Sequence, residues 1–227
     1  MSGQDPKPLI WADEQIGGAA KAKDSARVIF TQQSFTEFPD YWVTDTAFAA
    51  PRKLTDANPF LKDYAWGSRV LIDYNNSKGQ RLQGTLTLPA GYEKGKKYPM
   101  VVYIYEKMSN THHTFSMPVY DDRPHMSTYA SDGYLVLQPD IVYEIGKPGS
   151  SALDCVTAAV KRVTDLGYVD PAHIGLQGHS CEDPSSSTDL LPHTRYIAVE
   201  NRIAARSRRS RPLQYARQVG SFANSTT

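Results

Sequence analysis

The sequence predicts an α/β fold with a mostly parallel sheet, preceded by a β-rich region, and three observations carry that prediction. Two runs, YPMVVYIYE (Tyr98 to Glu106) and GYLVLQPD (Gly133 to Asp140), are almost wholly apolar, as strands covered on both faces must be. Between Ser150 and Gly167, the apolar residues Leu153, Val156, Ala159, Val160 and Val163 recur at helical spacing. A further apolar run, HIGLQG (residues 173 to 178), follows the turn signal Asp170-Pro171. Strand, helix, strand, helix, strand is the α/β order.

Along the chain, residues 1–66 read as short β segments separated by polar turns. RVIFTQQ (Arg27 to Gln33) and DYWVTD (Asp40 to Asp45) are rich in β-branched and aromatic residues. PRKLTDANPF (Pro51 to Phe60) reads as an exposed connector. From Ser68 a hairpin begins: Val70, Ile72 and Tyr74 alternate, Asn75 to Gly79 turn the chain, and Leu82 to Leu88 return. MSTYASDG fits a short helix ended by Gly133. Ser150 or Ser151 is placed to cap the longer helix, which closes near Gly167. Asp170-Pro171 then turns the chain into the strand leading to Ser180.

Composition excludes several functions. A net charge of +1 over 227 residues gives no reason to expect a nucleic acid or a membrane as the partner of the whole molecule. Cys155 and Cys181 are too few for a disulfide framework and lack metal-ligand spacing. The opening MSGQDPKPLIWADEQ has no basic region followed by an apolar core, and no apolar run approaches membrane-spanning length, so a soluble cytoplasmic chain is expected. A shift occurs near residue 180. All 12 lysines lie at or before Lys161, whereas 7 of the 13 arginines follow Cys181, and the tail offers one short amphipathic segment, Tyr196 to Ala205.

The run IGLQG continues into Gly178-His179-Ser180, the opening of a G-x-S-x-G nucleophile elbow. Taken with RKLTDANPF, LIDYNNSKGQRLQGTLTLPAGYEKGKKYPMVVYIYE, YASDGYLVLQPDI and ALDCVTAAVKRVTDLGYVDPAHIGLQGHS, it gives an ordered set of matches over roughly residues 27 to 180. Over that span the chain resembles the prolyl oligopeptidase family of serine peptidases. The resemblance implies a partial α/β-hydrolase fold behind a remnant of a β-propeller. Residues 1–66 would be the remnant, 67–181 the N-terminal part of the peptidase domain, and 182–227 a poorly ordered Arg/Ser-rich tail. It further implies Ser180 as nucleophile, with the Cys181 backbone N–H and the Tyr105 hydroxyl as the two oxyanion donors. The implied substrate is a short peptide, and no cofactor or metal is called for. Each residue also has a structural alternative: Tyr105 as a core aromatic with a satisfied hydroxyl, Ser180 as a polar residue at a strand end.

After Ser180 the family pattern stops. The second elbow glycine is replaced by Glu182, and Ser185-Ser186-Ser187-Thr188 is a poor start for a helix. The family's catalytic aspartate and histidine come much later, and neither is assigned here. Asp183, Asp189 and His193 lie too close together in sequence to replace them. The tail reads as sequence from a shifted frame, an expectation that fails if neither alternative frame after codon 180 encodes Gly-Gly and further strands. A sheet ending with IGLQG would leave one side of that strand open, so marginal stability and a catalytically incompetent chain are expected. RIAARSRRSR could bind phosphates as an interaction tail, but it lacks interleaved aromatics, and a solvated tail is the better reading. His112, His113, His125 and Cys181 offer metal-ligand types without metal-ligand spacing. EKMSNTHHTF reads as a loop after the Tyr105 strand, and oligomeric state is not legible.

Overall fold

The computed structural model describes residues 8–117 and 125–178. They divide into two units, one of residues 8–66 with 111–116, the other of residues 67–110, 117 and 125–178. Ser180, Cys181 and the tail lie outside the described residues.

The first unit is an antiparallel sheet of four strands in sequence order: β1 (Gln15–Lys21), β2 (Arg27–Gln33), β3 (Asp40–Asp45) and β4 (Arg52–Lys53). β2 and β3 occupy the segments their β-branched and aromatic residues predict, in register from Arg27↔Asp45 to Gln32↔Asp40. Alternation sets the faces of β2: Val28 and Phe30 are buried, Arg27 and Ile29 exposed. Phe30 stacks against Trp42 at 6.4 Å and meets Phe48 at 5.7 Å, which forms the small core. The connector after β3 is not a plain linker. It includes β4 and a 3₁₀ helix, Pro59–Asp63, and the buried Asp40 carboxylate ties it down. Asp40 accepts the Lys53 ammonium at 2.7 Å, the Thr55 hydroxyl at 2.5 Å and the Ala57 N–H at 2.9 Å. Residues 111–116 complete the unit. The Thr114 hydroxyl donates to Gln15 Oε1 at 2.7 Å, the Phe115 N–H donates to Gln33 Oε1 at 3.0 Å, and the Phe115 ring lies against Phe38 and Trp66.

The second unit is a five-stranded sheet with two helices. Its strands are β5 (Ser68–Asn75), β6 (Arg81–Leu88), β7 (Tyr98–Ile104), β8 (Leu135–Pro139) and β9 (Val169–Gly178), in the order β5-β6-β8-β7-β9. β5 and β6 form the expected hairpin, from Ser68↔Leu88 to Asn75↔Arg81. At its turn, Asn76 Oδ1 accepts the N–H groups of Lys78 and Gln80, and Gly79 takes a φ of +74°. The sheet is mixed rather than mostly parallel: β5/β6 and β6/β8 are antiparallel, β8/β7 and β7/β9 parallel. The tight hairpin forces the first pairing, whereas crossovers through α1 (Met126–Ser131) and α2 (Pro148–Asp165) return the chain parallel.

β7 is buried on both faces, with Met100 and Val102 on one and Val101 and Tyr103 on the other. Against the Met100 and Val102 face, α2 contributes Ala152, Cys155, Val156, Ala159, Val160 and Val163 to a single core cluster. α2 begins earlier than the serines suggest: Lys147 is its N-cap and Pro148 its first residue. The correction has a simple cause. The Ser151 hydroxyl already points back within the helix, donating to Lys147 O at 2.7 Å and accepting from the Glu144 N–H at 3.0 Å. β9 follows β7 with an irregularity, pairing Val169 with Tyr98 and then Ile174 with Met100, so Asp170-Pro171 turns inside the strand. Among the described strands, β9 has β7 as its one neighbour. No helix of the described residues is long and apolar enough to cross a membrane.

Candidate active site

Parallel strands end on a common edge, and in α/β sheets that carboxyl edge is where ligands bind. Here Ile104 of β7 pairs with Gly178 of β9 at this edge. Tyr105 is the residue after Ile104, and the description stops at Gly178, two residues before Ser180. Ser180 and Cys181 therefore have no described geometry. Tyr105 has: it is 44% exposed, whereas Tyr103, two residues earlier, is the buried aromatic of this strand. Tyr105 is thus exposed among the described residues and lies outside the core cluster.

Beyond Ile104 the sheet ladder ends, and the chain from Tyr105 to Ser109 is held instead by the segment that follows β8. The Ile141 N–H donates to Glu106 O at 3.0 Å, and the Tyr143 hydroxyl donates to Tyr105 O at 2.7 Å. The buried Asp140 carboxylate accepts the N–H groups of Met108 and Ser109 and the Ser109 hydroxyl, each at 2.7 Å. The Asp140 backbone is tied in turn. Its N–H donates to Gln83 O at 2.8 Å, and its carbonyl accepts the Tyr74 hydroxyl at 2.5 Å. Burial, reinforced by the neighbouring Cys155 and Asp140, pushes the Tyr74 phenol well above its ordinary range, so it stays a donor at every working pH. Replacing Tyr74 with Phe leaves that carbonyl short of a donor and should cost about 1–2 kcal/mol in a urea titration.

Sequence reading places Tyr74 in the hairpin alternation but gives no role at this edge to Asp140, Tyr143 or Tyr74. An aspartate after a strand reads as a turn residue, and only the folded chain brings residues 108 and 109 to residue 140. The histidines of the 111–116 segment face each other, with His112 and His113 rings edge to face at 4.7 Å, and His113 Nε2 lies 3.5 Å from the Asp13 carboxylate. Among the described residues no group of three or more His, Cys, Asp or Glu side chains is placed to hold a metal ion. A shallow groove of about 510 Å³ runs beside the start of α2. In it Lys78 pairs with Glu144, and Asp154 accepts the Ser77 N–H at 3.0 Å.

No protein-family model and no curated protein matches the chain. Solved structures do. The chain is similar to the AtxE2 isopeptidase in its apo form, with a TM-score of 0.63 and 19% identity, over 82% of this chain and 30% of that one. It is similar to the Pyrococcus horikoshii acylaminoacyl peptidase, with a TM-score of 0.57 and 16% identity over 79% of this chain and 29% of that one. The Porphyromonas gingivalis dipeptidyl peptidase 4 gives a TM-score of 0.54 and 22% identity over 75% of this chain and 26% of that one. The chain thus spans at most about three tenths of the length of these structures. Shared topology at such low identity is a statement about fold: the chain has, over that part of their length, the fold of the prolyl oligopeptidase-type peptidases.

Proposed function

We propose that this chain is part of a serine peptidase of prolyl oligopeptidase type, whose chemistry is hydrolysis of peptide bonds in short peptides through an acyl-enzyme. The supporting observation is the pairing of Ile104 with Gly178, which sets the residue before Tyr105 beside the residue two before Ser180. In this reading the Ser180 hydroxyl attacks the scissile carbonyl and loses its proton to a base. The Tyr105 hydroxyl and the Cys181 N–H stabilise the oxyanion that forms. Collapse expels the amine, and water then releases the acid and regenerates Ser180. Residues 1–66 correspond to part of a propeller, 67–181 to the start of the catalytic domain, and 182–227 to a tail outside it.

No residue of this chain is assigned as the base, so the chain is proposed to be incompetent for turnover. An oxyanion hole and binding without a complete triad retain roughly 10³–10⁴-fold acceleration over water, and a fluorophosphonate is a far more reactive electrophile than a peptide bond. A fluorophosphonate probe should therefore label Ser180 slowly. Ser180→Ala should abolish labelling, Tyr105→Phe should slow it about a hundredfold, and peptide hydrolysis should not rise above the Ser180→Ala background. A folded sample that takes up no probe at Ser180 overturns the reading. Sustained peptide turnover overturns the proposed incompetence instead, because some residue must then act as base.

A further inference from the structure

We infer that Asp140 is the positioning residue of the loop that carries Tyr105, an inference that rests on the proposed oxyanion role of that tyrosine. An oxyanion donor works only if it is in place before charge develops. Tyr105 stands one residue past the last rung of the β7 ladder, so the strand does not fix it alone. The fixing comes from the segment after β8, and Asp140 is its centre. Its Oδ1 takes two consecutive backbone donors, the N–H groups of Met108 and Ser109, and its Oδ2 takes the Ser109 hydroxyl. Bonds of 2.7 Å to an ionised acceptor are the short, charge-assisted kind.

Asp140 can serve as an anchor because it does not move with the loop it holds. Its N–H is bonded to Gln83 of β6 and its carbonyl to Tyr74 of β5, so its main chain belongs to the sheet. Its chain neighbours extend the hold, Ile141 to the Glu106 carbonyl and Tyr143 to the carbonyl of Tyr105 itself. Four of the five residues from Tyr105 to Ser109 are thereby bonded to residues 140–143. With its carbonyl and the loop after it pinned, Tyr105 leaves the backbone in one direction. A misplacement of about 1 Å is enough to cost a catalytic group on the order of a hundredfold. A buried carboxylate that merely tidied a loop would not transmit its loss to Ser180, and that difference is measurable.

The experiment combines amide hydrogen exchange with fluorophosphonate labelling of the full chain, for Asp140→Ala, Asp140→Asn, Tyr105→Phe and the double variant Asp140→Ala/Tyr105→Phe. Asp140→Ala is expected to speed exchange at Met108 and Ser109 by about tenfold or more while leaving the Val101 and Val102 amides unchanged. Labelling of Ser180 should slow by about tenfold, and Asp140→Asn, which retains an acceptor, should restore most of both losses. On the Tyr105→Phe background, Asp140→Ala should have little further effect, because it acts through that side chain. Full additivity in the double variant, or faster exchange throughout β7, overturns the positioning role. If the unsubstituted chain does not label, the catalytic reading falls; unchanged exchange at Met108 and Ser109 in Asp140→Ala overturns the anchoring itself.

Discussion

Alanine at position 67 should destabilise the second unit by about 3 kcal/mol or more, or prevent it from folding. Gly67 is buried immediately before β5, where Ser68 and Leu88 form the first rung of the hairpin. A methyl group there would stand 2.1 Å from the Leu88 carbonyl oxygen and 2.9 Å from the Ala130 side chain of α1. The first contact is with backbone, so no rotamer change relieves it. Relief requires pulling the β5 end of the hairpin off β6, or α1 off the sheet. Gly79 is the proper control: a methyl group there meets nothing within 4 Å, but the φ of +74° is one that alanine resists. Gly79→Ala should therefore cost only about 1–2 kcal/mol. Circular dichroism at helix wavelengths follows the second unit, since α2 is the long helix among the described residues. Equal urea midpoints for the two variants would refute the steric account.

Asp40→Ala should destabilise the first unit by about 3 kcal/mol, with most of the cost coming from the donors it strands. The Thr55 hydroxyl and the Ala57 N–H lose their acceptor, and the connector from Lys53 to Ala57 loses its attachment to β3. The same site gives the unit an acid limb. Burial pushes the Asp40 carboxyl up, but hydrogen bonds from Lys53, Thr55 and the Ala57 N–H together outweigh it and hold the carboxyl below its ordinary 3.8. A carboxyl held down in the folded state contributes fully above its unfolded value, and the contribution is lost as pH falls through the folded one. Its partner behaves in mirror image. The hydrogen bond to Asp40 raises Lys53 above 10.5, so that share is complete below 10.5 and is lost as pH rises through the folded value. Trp11, Trp42 and Trp66 are the three tryptophans of the chain and all lie in the first unit, so their fluorescence reports it selectively. Asp40→Asn should flatten the acid limb of the pH–stability curve; an unchanged limb would remove Asp40 from its origin.

Most strands were legible because burial imposes a period on them. β2 and the second half of β5 alternate, and β7 and β8 are almost wholly apolar, Gln138 being the polar residue of β8, since a strand covered on both faces has no polar side to show. β1 was not legible. QIGGAAK has one β-branched residue, and its pairing with β2 breaks register between Gly17 and Ala20. Such a strand is made by its partner rather than by its own preference. The start of α2 was misplaced for a related reason: serine is a good cap and also a good partner for the carbonyl four residues back, and only the fold decides between them. At the candidate site, Tyr105 is singled out by the family resemblance, as the tyrosine that follows the apolar strand. Asp140 could not be found in this way, because what marks it is contacts with residues more than 30 positions away.

The placing of residues 111–116 with the first unit bears on how such a protein could be divided or recombined. The chain passes from one unit to the other after Trp66, again after Asn110, and again after Ser116. Three covalent crossings replace the single tether of a bead-on-a-string arrangement. A gene cut at the first crossing would hand the second module a Phe115 whose aromatic neighbours, Phe38 and Trp66, had stayed with the first. An engineered swap of the first unit therefore has to carry the six residues 111–116 with it.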